Sequence, residues 1–509
     1  MDQLPVTAVL ENLKTALRCH PAAVLVAPPG AGKSTCVPLS LLEEAWLAGR
    51  RILLLAPRRM AARATSRRMA TLLGQSVGQS VGYRVRLESR VGPSTRIEVI
   101  TEGVLTRMLQ SDPSLCGVGL VIFDEFHERS LEADLGLALC RDIQGVLNEN
   151  LRLLVMSATL DPAPVAALLG NAPLIRCHGR TFPVETRYVP RPANQPVEPA
   201  VAHVVRGAMA AGEGNLLVFL PGAAEIKRVA RLLEAGGRPD GWHVAPLYGN
   251  LPRSAQDSAI APPPAGQGKV ILATDIAETS LTIDAISVVV DSGLRRAARF
   301  DPASGMIRLV TQAVSRASAA QRRGRAGRLG PGICYRLWSE AAHGALAAHN
   351  PPEIRDTDLA GLALELAAWG VVDPETLSWL DPPPPPAFSQ ARRLLTDLGA
   401  LDDDHCISPH GRQMAAMPLH PRLAHMMLMA RRQGWGDAAC QIAAILSERD
   451  PLRFPGRQTH VDLGLRLDTV NAYRTGKSFD LHGCTVDKAA VRRIVTVAAV
   501  LRKRLGIRE

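Results

Sequence analysis

The chain has 509 residues, 47% of them hydrophobic and only 4% aromatic, enough apolar material for several cores built from aliphatic side chains. Its net charge of +11 and pI near 9.5 admit a polyanionic partner without requiring one. No apolar run approaches the roughly 18 residues of a membrane helix, the start Met1-Asp2-Gln3-Leu4-Pro5 lacks a basic-then-apolar leader, and the nine cysteines form no C-x-x-C pair. The expectation is a cytoplasmic protein with reduced thiols and no membrane partner, structural zinc or disulfide frame.

In chain order, residues 22–27 are a short apolar run of strand type, and residues 31–46 have helix-compatible apolar spacing. The segment Ala27-Pro28-Pro29-Gly30-Ala31-Gly32-Lys33-Ser34-Thr35 therefore sits at a strand-to-helix turn. Gly30 and Gly32 let backbone N–H groups approach phosphate oxygens, while the helix N-terminus supplies partial positive charge and Lys33 a full one. Ser34 is then placed to ligate Mg²⁺. Ala27 stands where the phosphate-loop pattern has its first glycine, a position at the strand end and not under the phosphates. An ordinary glycine-rich turn would have no use for an acidic pair at a second strand end. After strand-like runs at 51–57 and 97–101, the run VGLVIF at 118–123 leads straight into such a pair, Asp124-Glu125-Phe126-His127. Two carboxylates at the end of a buried strand are costly unless a cation meets them. Asp124 would hold Mg²⁺ through water, and Glu125 would polarise an attacking water, the division of labour that phosphoryl transfer requires.

A further strand-like run at 151–156 completes a first α/β set that ends near Cys177. Runs at 215–220, 242–247, 269–274 and 285–290 make a second set ending near Leu337. Such alternation predicts two parallel sheets wrapped by helices. Only the first set has a phosphate loop, so the second is expected to close over the nucleotide. Its contribution would be Gln321-Arg322-Arg323-Gly324-Arg325-Ala326-Gly327-Arg328. Arg325 and Arg328, three apart, are expected on one face of a helix start, as guanidinium forks for charge developing on the γ-phosphate. Gln321, one turn earlier, would orient the hydrolytic water. On these residues alone, a basic loop that touches RNA or nothing remains the alternative.

Gly30 to Thr35, Pro57-Arg58-Arg59, Thr101-Glu102-Gly103, Asp124 to His127, Ser157-Ala158-Thr159, Phe219-Leu220-Pro221-Gly222, TDIAETSLTI from Thr274 to Ile283 and Gln321 to Arg328 together resemble the ordered motifs of superfamily 2 helicases. Their wording resembles the DEAH/RHA family, most closely its bacterial HrpB-like members, over essentially the whole chain. Two positions depart: Phe126 replaces the family's alanine, and Asp275 stands where Asn is commoner.

The resemblance implies two tandem RecA-like domains, 1–178 and 179–350, followed by a winged-helix module at 351–415 and a helical, ratchet-like module at 416–509. It implies a nucleotide site formed by Gly30, Ala31, Gly32, Lys33, Ser34, Thr35, Asp124, Glu125 and His127, with Mg²⁺ at Ser34 and Asp124, partly through water. Lys33, Glu125, Gln321, Arg325 and Arg328 would carry catalysis. His127 would couple the nucleotide to the second domain, and Ser157 with Thr159 would link hydrolysis to domain movement. Arg58, Thr101 and Thr274 would hold the backbone of a single strand and Asp284 a ribose hydroxyl, positioning the strand without reading bases. Residues 82–88 look like the family's hook-shaped turn, and 288–309 like its strand-separating hairpin. The base would lie between Arg68 and Ile260, neither of which offers a hydrogen-bonding fork, so other NTPs are expected to serve beside ATP.

Beyond Glu340 the texture changes to short amphipathic helices. Helical spacing at 356–370 and 389–401 flanks a stiff connector, Pro382 to Pro386, and Met426, Met427 and Met429 read as core. The family normally continues with an oligonucleotide-binding barrel, and Arg508-Glu509 stops short of it, so a piece of a longer chain or a reduced grip is expected. The expected activity is an ATP- and Mg²⁺-dependent 3′-to-5′ helicase or translocase on single-stranded RNA, with DNA as the other substrate, working as a monomer. A nucleic-acid-stimulated NTPase that acts as a conformational clamp or assembly factor without processive unwinding is the alternative. A metabolic kinase is excluded, because it has no use for Gln321, Arg325 and Arg328 in a second α/β domain.

Overall fold

The structure, a computed structural model, describes residues 4–86, 88–158, 161–179, 182–192, 194–237, 239–249, 251–278, 283, 285–455, 460–476 and 483–507. It divides into an α/β unit, Met1–Thr357 with Leu377–Pro382, and a helical unit, Asp358–Thr376 with Pro383–Glu509.

The α/β unit contains two sheets. The first comprises β1 (Ala22–Val26), β2 (Arg51–Ala56), β3 (Val81–Val85), β4 (Glu88–Arg90), β5 (Ile97–Thr101), β6 (Val118–Phe123), β7 (Arg152–Ser157) and β8 (Leu174–Arg176) in the order β4-β3-β5-β2-β6-β7-β1-β8. Every pairing is parallel except β3 with β4. The central strands β2 and β6 are apolar on both faces and almost wholly buried, as a parallel sheet covered by helices requires. The second sheet comprises β9 (Val184–Tyr188), β10 (Asn215–Phe219), β11 (Trp242–Leu247), β12 (Gly268–Ala273), β13 (Ile286–Asp291) and, after a separate hairpin of β14 (Leu294–Asp301) with β15 (Met306–Ala313), β16 (Gly332–Arg336). Its order is β11-β12-β10-β13-β16-β9, again parallel.

All nine expected strands form, within a residue or two of their expected limits. Three expectations need correction, and two strands of the second sheet go unexpected. The helix after the phosphate loop runs only Lys33–Ser40, not 31–46: Pro38 lies inside it, lacking the N–H that would bond one turn back, and the chain turns before a short 3₁₀ segment at Ala45–Leu47. The hairpin expected at 288–309 begins at Leu294, because 286–291 belongs to the sheet. Strands β9 and β16, which extend the second sheet, carry too few apolar residues to stand out in the sequence. In the helical unit Pro385 and Pro386 open a helix, Pro385–Asp397, instead of extending a connector, since proline at the first helical turn loses no hydrogen bond.

That helical unit continues through Pro409–Ala415, Pro421–Arg432, Gly436–Ser447, Leu463–Arg474 and Lys488–Leu505. Met427 is fully buried and Met426 and Met429 half-buried, so the methionine stripe is packing. No helix among the described residues is long and apolar enough to cross a membrane.

Phe126, the departure in the acidic box, is 1% exposed, edge-on to Phe123 with centroids 6.2 Å apart. Phe126→Ala should therefore cost about 3–5 kcal/mol of stability, read as a lower urea midpoint; a loss below about 1 kcal/mol would mean that the pocket collapses freely.

Candidate nucleotide and strand-binding site

The phosphate loop joins β1 to the Lys33–Ser40 helix, and both of its glycines have positive φ, 83° at Gly30 and 90° at Gly32. A side chain at Gly32 would also strike Leu4, since a Cβ there would lie 2.9 Å from its Cδ1. Ala31 is buried, and Ser34 and Thr35 are half-buried in the first helical turn. Lys33 is 3% exposed and its Nζ donates to both carboxylate oxygens of Glu125, at 3.0 and 3.1 Å.

Asp124 and Glu125 come directly after β6. Glu125 has φ 52° and opens the short turn Phe126–Glu128. Burial by itself would raise the Glu125 carboxyl, but Lys33 and then His127 outweigh it and hold the group below the usual range. Asp124 goes the other way. Burial, then the neighbouring Glu125 charge, push it up to about 7, against the pull of Lys33 and a hydrogen bond with Ser34. Two buried carboxylates thus share one ammonium. A divalent cation beside Ser34 and Asp124 fits this charge shortage, and the open glycines beside Lys33 fit a polyphosphate.

His127 is buried, its pKa lowered chiefly by burial. Its Nδ1 accepts from the Ala158 N–H at 3.3 Å, just past the end of β7, where Ser157 is buried. Thr159 lies outside the described residues.

From the second sheet, Gln321 lies on the last turn of the Arg316–Arg323 helix and is 7% exposed. Arg325 and Arg328 are not at a helix start as expected. Gly324 caps the C-terminal end of that helix, and both arginines lie in the turns beyond it. They nevertheless face the phosphate loop: a Cβ on Gly30 would stand 3.9 Å from the Arg328 guanidinium, and Glu125 and Arg328 both act on the charge of Arg325. Burial, then repulsion from Arg328, holds Arg325 well below its ordinary pKa. Its Nε donates to the Glu278 carbonyl at 3.0 Å.

Arg322 does not stand out in the sequence because it is one of four arginines in eight residues, 321–328. It is fully buried over the Phe219 ring and binds Glu278 at 2.9 Å and Asp291 at 2.8 Å. Glu278 also accepts from Ser318 Oγ at 2.6 Å. This network ties β13, the Thr274 loop and the Arg325 turn together, and the only hint of it is that Glu278 sits inside TDIAET.

The expected strand contacts are less gathered. Arg58 lies just past β2, donates to the Asp275 carbonyl at 3.4 Å and pairs with Glu128 at 3.5 Å, which brings it beside the Thr274 segment of the other sheet. Asp275 thus contributes its backbone to that contact. An open cleft bounded by Arg58, His127, Glu128, Asp275, Arg295 and Gln321 adjoins both sets of residues. Thr101 ends β5 and precedes the Glu102–Ser111 helix, and it is not among the residues that bound this cleft. Asp284 and residues 279–282 lie outside the described residues. Of the base-sandwich pair, Arg68 is exposed on the Arg59–Leu72 helix and Ile260 packs against the second-sheet core. The stretch expected as the hook lies in the antiparallel pair β3–β4, with Leu87 outside the described residues.

A phosphate loop and strand-end acid pair on one parallel sheet, with glutamine and arginines aimed at them from a second, is the arrangement that two-sheet nucleoside-triphosphate motors of helicase type use. The family comparisons agree: residues 10–168 match the DEAD/DEAH box helicase domain, 200–330 the helicase conserved C-terminal domain, and 391–419 the winged-helix helicase associated domain (HA2). These matches bear out the resemblance to the DEAH/RHA helicases. It is 50% identical over 465 residues to the ATP-dependent RNA helicase HrpB of Escherichia coli (strain K12), a match that covers 91% of this chain and 56% of that protein. All of it overlays on a crystal structure of the E. coli DEAH/RHA helicase HrpB with TM-score 0.89 at 47% identity, covering 61% of that chain. A second structure, the E. coli DExH-box NTPase HrpB, gives TM-score 0.85 at 47% identity with 59% of that chain covered. The chain thus spans a little over half the length of the relatives it matches.

A carboxyl that meets Ser130, just beyond the acidic-box turn, has a titration of its own. Glu102 accepts from Ser130 Oγ at 2.7 Å, and burial, reinforced by Glu128, Glu132 and Glu353, raises it to about 8. The folded protein keeps a proton there that the unfolded chain releases near the ordinary carboxyl value, so stability should fall as pH rises from about 4.5 to about 8 and then level off. Glu102→Gln should flatten that part of the urea-midpoint profile; parallel profiles for the two proteins would contradict the assignment.

Proposed function

We propose that this chain is the motor of an ATP-dependent 3′-to-5′ helicase that moves along single-stranded RNA in the cytoplasm, with the module limits 1–178, 179–350, 351–415 and 416–509. The observation that carries this reading is the convergence on one phosphate loop of Lys33 and Glu125 from the first sheet with Arg325 and Arg328 from the second. A site completed by two domains can be opened and closed by nucleotide, and a strand held by both domains is then displaced at each cycle.

Each part has its own share of the work. Backbone N–H groups of residues 30–35 and the Lys33 ammonium bind the β- and γ-phosphates, which frees Glu125 from its present partner. Mg²⁺, held by Ser34 and Asp124, would neutralise phosphate charge. Glu125 accepts the proton of the attacking water, which Gln321 orients. Arg325 and Arg328 stabilise charge on the transferring phosphoryl oxygens. His127, bonded to the backbone after β7, passes the state of the site to the Ser157 segment. Arg58, Thr101, Thr274 and Asp284 hold the strand by its sugar-phosphate backbone, so binding is tolerant of sequence and sensitive to salt. Arg68 and Ile260 accept any base face, so GTP, CTP and UTP serve beside ATP.

Glu125→Gln should retain nucleotide affinity and lose on the order of 10²-fold or more in turnover, because the carboxylate acts in the transition state; wild-type turnover would remove Glu125 as the base. Polarity is read from duplexes with single-stranded tails. Strand separation that requires a 3′ tail supports the reading, whereas RNA-stimulated hydrolysis with no separation from either tail would make the chain a clamp.

A further inference from the structure

The turn that carries Glu125 and His127 is bounded by two non-glycine residues in the left-handed region, Glu125 at φ 52° and Arg129 at φ 51°. Each such residue costs on the order of 1 kcal/mol, so the surroundings must hold it. The upstream end is held by Lys33. At the downstream end Arg129, 7% exposed and stacked over the Phe126 ring at 5.8 Å, makes a fork to Asp134 with two bonds of 3.0 Å. Local support would stop there. Instead, Arg129 Nη2 also donates to Asp381 Oδ2 at 2.7 Å, and the other oxygen of Asp381 accepts from Arg355, also at 2.7 Å. The Arg129 carbonyl accepts from the Glu353 N–H at 3.0 Å, and the Glu353 side chain accepts from the Leu131 N–H at 2.9 Å. Two segments more than two hundred residues downstream therefore close on one end of the acidic-box turn. One of them, Leu377–Pro382, is a short return of the chain to the α/β unit between stretches that fold with the helical unit.

We propose that Arg129, Glu353 and Asp381 form a positioning latch that sets the angle of the acidic-box turn, and with it the reach of Glu125 toward the attacking water. The inference rests on the nucleotide-hydrolysis reading of that turn. None of the three residues touches substrate. Each acts through the turn, and Asp381 is the member whose loss leaves the others in place: Arg129 keeps Asp134, and Glu353 keeps both of its backbone bonds. Misplacement of a catalytic group by a fraction of an ångström lowers turnover without altering how tightly substrate is held.

The test is steady-state phosphate release by the full chain, wild type beside Asp381→Asn and Asp381→Glu, with thermal melting of each. The latch predicts that Asp381→Asn lowers kcat by about tenfold with KM for ATP within about twofold, that it melts within a few degrees of wild type, and that Asp381→Glu, which restores the charge, recovers most of the lost kcat. Wild-type kcat in a folded Asp381→Asn would overturn the latch, as would equal losses in both variants that track their melting temperatures. An inactive wild type would instead overturn the hydrolysis reading itself, and the latch with it.

Discussion

The rest of the structure is arranged around one electrostatic constraint: two adjacent carboxylates, Asp124 and Glu125, are buried at the end of an apolar strand with the single lysine of the phosphate loop to share. Burial of an ionised carboxylate without compensation costs several kcal/mol, so the pair cannot both stay charged on Lys33 alone. The protein resolves this asymmetrically. Glu125 keeps its charge by claiming both contacts with Lys33, and Asp124 is pushed up to about 7. With Asp124 ionised the arrangement carries one uncompensated negative charge, which a divalent cation would meet, and Glu125 occupies the ammonium that a polyphosphate would need. Binding of the two together would satisfy both carboxylates and release Glu125 for the role proposed for it.

The same constraint explains why the second sheet matters. Arg325 is a buried cation with the half-buried Arg328 beside it, and burial with mutual repulsion holds Arg325 far below its ordinary pKa. Glu278 and Asp291 compensate Arg322 immediately before them in the chain, and the Glu278 carbonyl anchors Arg325, which leaves the two finger candidates aimed at the first sheet. A γ-phosphate between the sheets would draw these cations and Lys33 to one centre. The cleft bounded by Arg58 and Asp275 is also bounded by His127 and Gln321, so a strand held there, as proposed, would lie beside the residues proposed to respond to hydrolysis.

How much of this is legible in the sequence depends on the kind of signal each element carries. Buried parallel strands such as 118–123 read clearly because both faces are apolar, and Lys33, Ser34, Asp124 and Glu125 read clearly because their spacing to the strand ends is fixed by chemistry. Strands β9 and β16 do not, since as VETRY and GICYR they carry few aliphatic residues. Arginine spacing misplaces Arg325 and Arg328 on a helix start, when Gly324 ends the helix and leaves them in turns. The Arg322 network and the Arg129 contacts with Glu353 and Asp381 join residues far apart in sequence, and no local pattern encodes such pairings.

The central claim is that one nucleotide site is completed by both sheets. It is tested most directly by Arg328→Ala, assayed for phosphate release at saturating single-stranded RNA and, separately, for RNA affinity. If Arg328 completes the site, turnover should fall by about 10³-fold while RNA affinity stays near wild type. Undiminished turnover with RNA affinity lost would make the segment a strand contact and leave the hydrolytic site to the first sheet alone.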